Sequence, residues 1–157
     1  MLSIFFLKTH TCAGKNDYGQ IGQDFNEDMK LTPTSVVSSL GHSELVIAIA
    51  AGYYHTLALT SNGELYTYGR NDYGQLGLGT LEHTFRPTRV QGPLRDVRIV
   101  RVASGCYHSV VLDEHRRVFS FGRNNHGQLG TGNLLDSNTP RRVHGLYLVR
   151  VERIAAG

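Results

Sequence analysis

Two histidines and a cysteine are the side chains whose types and spacing could support metal binding or nucleophilic catalysis. His55 and His108 are 53 residues apart, and Cys106 precedes His108 by two residues. A zinc site needs a set of four Cys, His or carboxylate ligands, and neither histidine has such a set at short spacing. Side chains two apart on a strand share a face without being aimed at each other. The sequence therefore predicts no catalytic residue, no metal and no cofactor, and we expect both histidines to be buried and hydrogen-bonded to backbone.

A glycine-rich motif could cradle a phosphate group with its backbone amides. It reads Gly-Arg-Asn-Asp-Tyr-Gly-Gln-Leu-Gly from Gly69 and Gly-Arg-Asn-Asn-His-Gly-Gln-Leu-Gly from Gly122. A P-loop requires Lys and then Ser or Thr after its second glycine, whereas glutamine stands there in both copies. We therefore expect these glycines to form tight turns at positive φ, where a Cβ would cost ~1–2 kcal/mol. The structural glycines of the two copies are Gly69, Gly74, Gly77, Gly122, Gly127 and Gly130.

The elements that must position these residues repeat along the chain with a period of 52 to 55 residues. A partial third copy of the glycine-rich motif starts at Gly14. Four separate sequence landmarks, of which the glycine-rich motif is one, recur with this same period, and chance would not produce that agreement. The other landmarks that keep the period are Gly52, Gly105 and Gly157, the two histidines, and Pro33, Pro87 and Pro140.

Within each period the local patterns predict β-strands. Residues 55–60 and 64–68 alternate in polarity around Asn62-Gly63, which predicts a hairpin. Continuous apolar runs predict one further strand in each copy, and segments that begin with proline predict an edge strand. The apolar runs are 45–50, 97–103 and 148–155, and the proline segments are 87–90 and 140–143.

Three or four short strands per period, joined by glycine-rich turns, are typical of a β-propeller blade. The alternative, a parallel β-helix, has much shorter coils and needs no hairpin in each period. We predict an all-β chain of propeller blades that forms an incomplete arc of about three blades. We divide this single propeller-type domain into a partial first repeat (1–50), a second (51–103) and a third (104–157). Strand residues such as 55–60 and 110–112 would be uncovered at the ends of such an arc, which favours self-association.

Ala-Gly-x-x-His before an apolar strand, as at residues 51–55, followed by Tyr-Gly-Arg-Asn-x-x-Gly-Gln-Leu-Gly, resembles the repeat of the regulator of chromosome condensation family. The resemblance implies a propeller that is typically seven-bladed, so about three blades indicate a fragment or an incomplete gene product. When Gly14 is aligned with Gly69, Leu2 matches the strand position of Leu57. Apolar residues 5–7 then replace the polar turn of the next repeat, and we expect the first blade to lack a hairpin signal.

Composition limits the classes of function. The 16 Lys and Arg residues exceed the 13 Asp and Glu residues by three, a surplus too small to demand a polyanionic partner. Residues 79–157 hold twelve basic and six acidic side chains, against four and seven in residues 1–78, which suggests a basic face late in the chain. Two cysteines exclude a disulfide framework and favour a reducing compartment, the cytoplasm or the nucleus. No apolar run is long enough to cross a bilayer, and we expect no membrane partner.

Our prediction for function is a non-catalytic protein–protein interaction scaffold. The family resemblance implies two alternatives: a guanine nucleotide exchange factor or regulator for a small GTPase, and the repeat domain of a larger ubiquitin ligase or kinase. Chromatin or a nucleic acid is a third type of partner. Loop residues are where a rigid scaffold places its binding side chains. The candidate partner-binding residues are Arg116, Arg117, Arg141 and Arg142, as a basic rim, and the variable pair Tyr73 and His126.

Overall fold

Eleven strands form three antiparallel sheets in the computed structural model, which describes residues 2–5, 11–23, 29–35 and 45–157. Blade 1 contains β1 (Leu2–Phe5), β2 (Thr11–Lys15) and β3 (Met29–Ser35). Blade 2 contains β4 (Val46–Ala51), β5 (His55–Thr60), β6 (Leu65–Gly69) and β7 (Thr84–Arg89). Blade 3 contains β8 (Ile99–Ser104), β9 (His108–Asp113), β10 (Val118–Gly122) and β11 (Ser137–Arg142). Within these residues, no helix is long and apolar enough to cross a bilayer.

Each blade is a meander in which consecutive strands pair. Because paired strands alternate in direction, the turn after the first strand of blades 2 and 3 and the loop after the third lie at the same end. This end carries the glycine-rich motif, and we call it the motif end. The hairpin turn between the second and third strands lies at the opposite, hairpin end. The predicted strand count and the all-β propeller-blade architecture are confirmed.

The predicted hairpin of blade 2 is confirmed, since β5 pairs with β6 around a turn that contains Gly63 at φ +83°. In blade 3 Arg116 takes the same turn position at φ +65°, a conformation that non-glycine residues rarely adopt. The Asp113 side chain supports this turn, because its Oδ1 accepts a hydrogen bond from the Arg117 N–H at 2.8 Å. The strands of the hairpin therefore persist although the turn residues change.

The predicted register of the first hairpin is wrong by two residues. Leu2 pairs with Gly14, just as His55 pairs with Gly69, so Leu2 takes the position of His55 and not that of Leu57. The chain between the paired residues is two residues shorter than in blade 2, which shifts the whole strand by that amount. The expectation of a missing turn signal concerns residues 5–7, of which 6 and 7 lie outside the described residues.

Two of the three apolar runs form the predicted strands, as β4 and β8. The third run, 148–155, forms no strand, so that prediction is wrong. In blades 2 and 3 the corresponding run pairs with the strand that follows it, whereas residues 148–155 pair with no strand in the described part of the chain. The proline-containing strands β7 and β11 lie at sheet edges as predicted, where a missing N–H costs no ladder hydrogen bond.

The hydrophobic core lies between the blades. Leu57 of β5 packs with Val111 of β9 and Phe121 of β10 in the cluster that joins blades 2 and 3. Cys12 of β2 packs with Tyr68 of β6 in the cluster that joins blades 1 and 2. All six residues of β5 are buried, because blade 2 is covered on both sides. The expectation that residues 55–60 would be uncovered is therefore wrong.

Candidate functional site

The glycine-rich motif forms the loop after the third strand, and its amide side chains fix the loop. Asn71 Oδ1 accepts a hydrogen bond from the Leu76 N–H at 2.9 Å, and its Nδ2 donates to two backbone carbonyls of the loop at 3.0 Å. Gln75 Oε1 accepts from the Tyr73 N–H at 3.0 Å. These backbone amides are therefore occupied and do not face a ligand. The side chains that accept from the same amides in the other blades are Asn16, Gln20, Asn124 and Gln128.

Two equivalent glycines of the motif have different surroundings. Gly74 and Gly127 have φ values of +77° and +75°, as predicted. A Cβ on Gly74 would lie 2.6 Å from Asn138 Cβ of blade 3, whereas a Cβ on Gly127 would meet nothing closer than Leu134 at 3.8 Å. Gly74 is therefore also a docking point between blades. The other predicted glycines with positive φ are Gly69, Gly77, Gly122 and Gly130.

His55 is buried and joins blade 2 to blade 3. Its Nε2 lies 3.1 Å from Ser109 Oγ and 2.9 Å from Ser104 Oγ, so the predicted bond to backbone is wrong and serine hydroxyls take that place. The Ser109 hydroxyl donates to the Gln75 carbonyl at 2.7 Å, which leaves its oxygen to accept from the Nε2 N–H. Burial lowers the pKa of His55 to about 3, with a smaller contribution from His108, so the ring is neutral.

His108 takes the equivalent position in blade 3, where it is 8% exposed and burial lowers its pKa. In both blades the imidazole lies against a glycine three residues earlier, Gly52 or Gly105, where a Cβ would collide with the ring. This packing explains the Gly-x-x-His spacing. Within the described residues no three His, Cys, Asp or Glu side chains are grouped as a metal site would require.

Cys106 belongs to a different environment from His108. Cys106 is the neighbour of Tyr53, whose pKa is raised chiefly by a hydrogen bond from its phenol to the cysteine. The other cysteine, Cys12, is buried, and the loss of hydration raises its pKa to about 11. A nucleophilic cysteine needs a lowered pKa, and burial has the opposite effect on Cys12.

Five tyrosines and two arginines form a continuous surface at the motif end, which we call the tyrosine–arginine face. Its tyrosines come from loops of all three blades. The ring centroids of Tyr18 and Tyr54 are 5.3 Å apart, and those of Tyr53 and Tyr54 are 6.3 Å apart. Tyr107 lies 5.7 Å from Tyr53 and 5.4 Å from Tyr73. The rings meet edge to face, the geometry that aromatic pairs prefer.

The two arginines lie over these rings. The Arg70 guanidinium is 4.9 Å from the centroid of Tyr18, 5.5 Å from Tyr54 and 5.8 Å from Tyr107, so it contacts all three blades. Arg123 is 4.8 Å from Tyr73 and 5.8 Å from Tyr107. Tyr53 remains 60% exposed. An exposed, rigid group of tyrosines and arginines has the composition of the residues that dominate binding energy at protein interfaces.

The structure separates the predicted binding residues into two groups. Tyr73 belongs to the tyrosine–arginine face. His126 lies in the equivalent loop of blade 3, where its Nε2 is 3.1 Å from Asn125 Nδ2. Arg116 and Arg117 lie in the turn at the hairpin end. Arg141 and Arg142 lie in β11, so the expectation that all four arginines lie in loops is wrong for these two.

Arg117 also has a structural contact that the sequence did not indicate. Its Nε lies 2.5 Å from Oδ2 of Asp113, whose side chain is fully buried. Its guanidinium is 5.8 Å from the ring of Phe119. Arg142 lies 4.2 Å from the ring centroid of Tyr147. Arg117 and Arg142 are thus held by intramolecular contacts at the hairpin end and are separate from the tyrosine–arginine face.

Most of the tyrosine–arginine face was missed by the sequence analysis, which identified only Tyr73. A signal was present, because tyrosine recurs beside the landmarks of the repeat: before His55 and His108, and before Gly19 and Gly74. The residues that the prediction omitted are Tyr18, Tyr53, Tyr54, Tyr107, Arg70 and Arg123.

Successive meanders of three or four strands with an inter-blade core define this chain as a β-propeller repeat protein. The regulator of chromosome condensation (RCC1) repeat matches residues 12–59, 62–112 and 117–157. A second model of the RCC1 repeat matches residues 46–75 and 99–128. The chain therefore belongs to the RCC1 repeat family, as the sequence motif predicted.

Several known proteins are similar to this chain over most of its length. The human E3 ubiquitin-protein ligase HERC2 is 35% identical over 144 residues, which are 92% of this chain and 3% of HERC2. Human WBSCR16 aligns with a TM-score of 0.85 and 28% identity over 99% of this chain and 40% of that structure. Prp20p from Saccharomyces cerevisiae shares the fold with a TM-score of 0.88 and 23% identity, over 99% and 40%. The chain thus spans less than half the length of these proteins.

Proposed function

We propose that the chain is a non-catalytic protein–protein interaction module whose binding surface is the tyrosine–arginine face. The observation that carries this proposal is the unbroken contact of five tyrosines and two arginines across three blades. Tyrosine contributes a large, rigid contact area at low entropic cost, and arginine adds directional donors. Each ring is held by its neighbours, so little side-chain entropy is lost on binding.

A variant of this face tests the proposal against a matched control. Tyr53→Ala removes a tyrosine that is 60% exposed, and Tyr147→Ala removes one that is 56% exposed outside the face. Proteins enriched from extract of the source cells by the wild-type chain are quantified by mass spectrometry for both variants. We expect a set of proteins that Tyr53→Ala loses and Tyr147→Ala retains. Identical sets for the two variants would contradict the proposal.

Guanine nucleotide exchange on a small GTPase is the second candidate. It is favoured by the fold shared with Prp20p, whose reported structure concerns its binding to Gsp1p and histones. Nucleotide release from a panel of small GTPases, measured with and without the chain, decides between the two. Acceleration of release from any member would replace the scaffold proposal. A third candidate, the repeat domain of a larger ubiquitin ligase, follows from the similarity to part of HERC2.

A further inference from the structure

The basic residue after the first glycine of each motif has a carboxylate partner in two blades and none in the third. Lys15 Nζ lies 3.0 Å from Asp17 Oδ2, and Arg70 Nε bonds Asp72. Blade 3 carries Arg123 at this position and an asparagine two residues later. Over the ranges that the structure describes, Arg123 forms no ion pair, and none of the carboxylates in those ranges lies at its donor edge.

Arg123 is nevertheless held in a defined position. Tyr73 and Tyr107 lie at 4.8 Å and 5.8 Å from its guanidinium carbon. A cation–π contact uses the flat face of the guanidinium, whereas its N–H donors point outward in the plane of the group. The stacked arginine therefore keeps its donor edge free for a planar acceptor such as a carboxylate.

We propose that Arg123 is the anion-receiving residue of the tyrosine–arginine face, and that the partner places an acidic peptide segment there. One carboxylate of that segment pairs with the donor edge of Arg123, and an adjacent apolar or aromatic side chain packs on Tyr107. This inference rests on the proposed function and names the chemistry of the partner. Charge complementarity is the reason for choosing an acidic segment, because Arg123 is the cation of the face without a carboxylate.

The basic residues equivalent to Arg123 in the other two blades favour a peptide carboxylate over a nucleic acid. A single strand that stacked its bases on the tyrosines would need cations at successive positions along its backbone. Lys15 and Arg70 occupy those successive positions, but each is already neutralised by an aspartate of its own loop. One isolated free cation beside aromatic rings fits a single carboxylate next to an apolar side chain.

Two blocked hexapeptides provide the probe: Gly-Phe-Glu-Glu-Phe-Gly and its analogue with glutamine in place of both glutamates. The 157-residue chain is labelled with nitrogen-15 arginine, and each peptide is titrated while the Nε–Hε signal of Arg123 is followed by NMR. We expect the glutamate peptide to shift this signal and the glutamine analogue to bind at least about tenfold more weakly, the weakening that follows from losing a charged hydrogen bond.

Two variants that exchange the sequence between blades test the role of the missing carboxylate. Asn125→Asp gives blade 3 the Gly-Arg-Asn-Asp sequence of blade 2 and supplies Arg123 with an internal partner. We expect Asn125→Asp to weaken binding of the glutamate peptide by about the same factor as replacing its glutamates with glutamine does. Asp72→Asn makes the reciprocal change, and we expect the Arg70 signal then to respond to the glutamate peptide.

The outcomes separate this inference from the proposed function. Equal binding of both peptides to the wild-type chain, or no effect of Asn125→Asp, would overturn the role of Arg123. If Tyr53→Ala still abolishes enrichment of the partner proteins in that case, the proposed function stands without this inference. An oligothymidine that binds more tightly than the glutamate peptide and dissociates as salt is raised would also overturn it, in favour of a nucleic acid.

Discussion

Alanine substitution at two equivalent glycines should have unequal effects on stability. Gly74 and Gly127 occupy the same motif position in blades 2 and 3 and have φ values within 2° of each other. The two glycines differ in the atoms that an added Cβ would meet. Gly74 faces the backbone of Asn138 in the next blade, and Gly127 faces open space beside Leu134. Gly127→Ala therefore measures the cost of the backbone conformation alone, and Gly74→Ala adds the cost of the blade contact.

The magnitudes follow from the geometry. An alanine at positive φ costs ~1–2 kcal/mol, and the stiffer unfolded chain returns ~0.4–1 kcal/mol, so Gly127→Ala should lose about 1 kcal/mol of the free energy of unfolding. At Gly74 the new Cβ would lie 2.6 Å from Asn138 Cβ and 2.7 Å from its N, well inside van der Waals contact. Overpacking of this kind costs ~1–3 kcal/mol more. We expect a total loss of about 2–4 kcal/mol at Gly74.

Urea denaturation of both variants, followed by far-ultraviolet circular dichroism, measures the difference. With a urea m-value of ~2 kcal/mol/M, the Gly74→Ala midpoint should fall below that of Gly127→Ala by about 0.5–1.5 M. The m-value itself should be unchanged. Equal losses in the two variants would refute the reasoning, because the motif glycine would then be required only by its own turn and not by the docking of one blade on the next.

Four further predictions concern the histidines and arginines. The unfolded chain binds a proton at His55 below pH ~6.5, whereas the pKa of His55 in the folded chain is about 3. The free energy of unfolding should therefore fall as pH drops from 6.5 towards 3, by up to ~1.4 kcal/mol per pH unit. His55→Gln should reduce this pH dependence, as measured by urea titrations at pH 7 and 5. A chelator should leave the melting curve unchanged. Arg117→Gln leaves a buried carboxylate without its partner and should lose ~1–3 kcal/mol in urea denaturation, whereas Arg141→Glu should change stability by less than ~0.5 kcal/mol. Arg116→Gly relieves a positive φ and should raise the urea midpoint; a lower midpoint would contradict the turn assignment.

The blades could be predicted because their signals are local and repeated. The turn at Asn62-Gly63 and the alternating residues on either side of it specify a hairpin without reference to the rest of the chain. The prolines of β7 and β11 indicate their edge positions in the same way. The register of the first hairpin could not be predicted, because sequence alignment places Leu2 by motif spacing and does not detect a connection two residues shorter.

Contacts between blades could not be predicted from spacing. His55 takes serine hydroxyls of blade 3 as partners, and these residues are 49 and 54 positions away in the chain. Tyr18 and Tyr107 belong to one face because Arg70 lies over both, a contact that exists only once three loops meet at the motif end. Arg117 was assigned to a basic rim of binding residues. Its ion pair with Asp113 could not be foreseen, because the burial of that carboxylate depends on packing between sheets.

Site-specific photocrosslinking tests the binding face most directly. A photoreactive phenylalanine analogue replaces Tyr53 in one variant and Tyr147 in another, and both are expressed in the source cells and irradiated. The two positions are similarly exposed, so random collisions should label them equally. If the tyrosine–arginine face binds a protein, position 53 should form discrete protein adducts that position 147 does not form. Adducts at position 147 with none at position 53 would contradict the account.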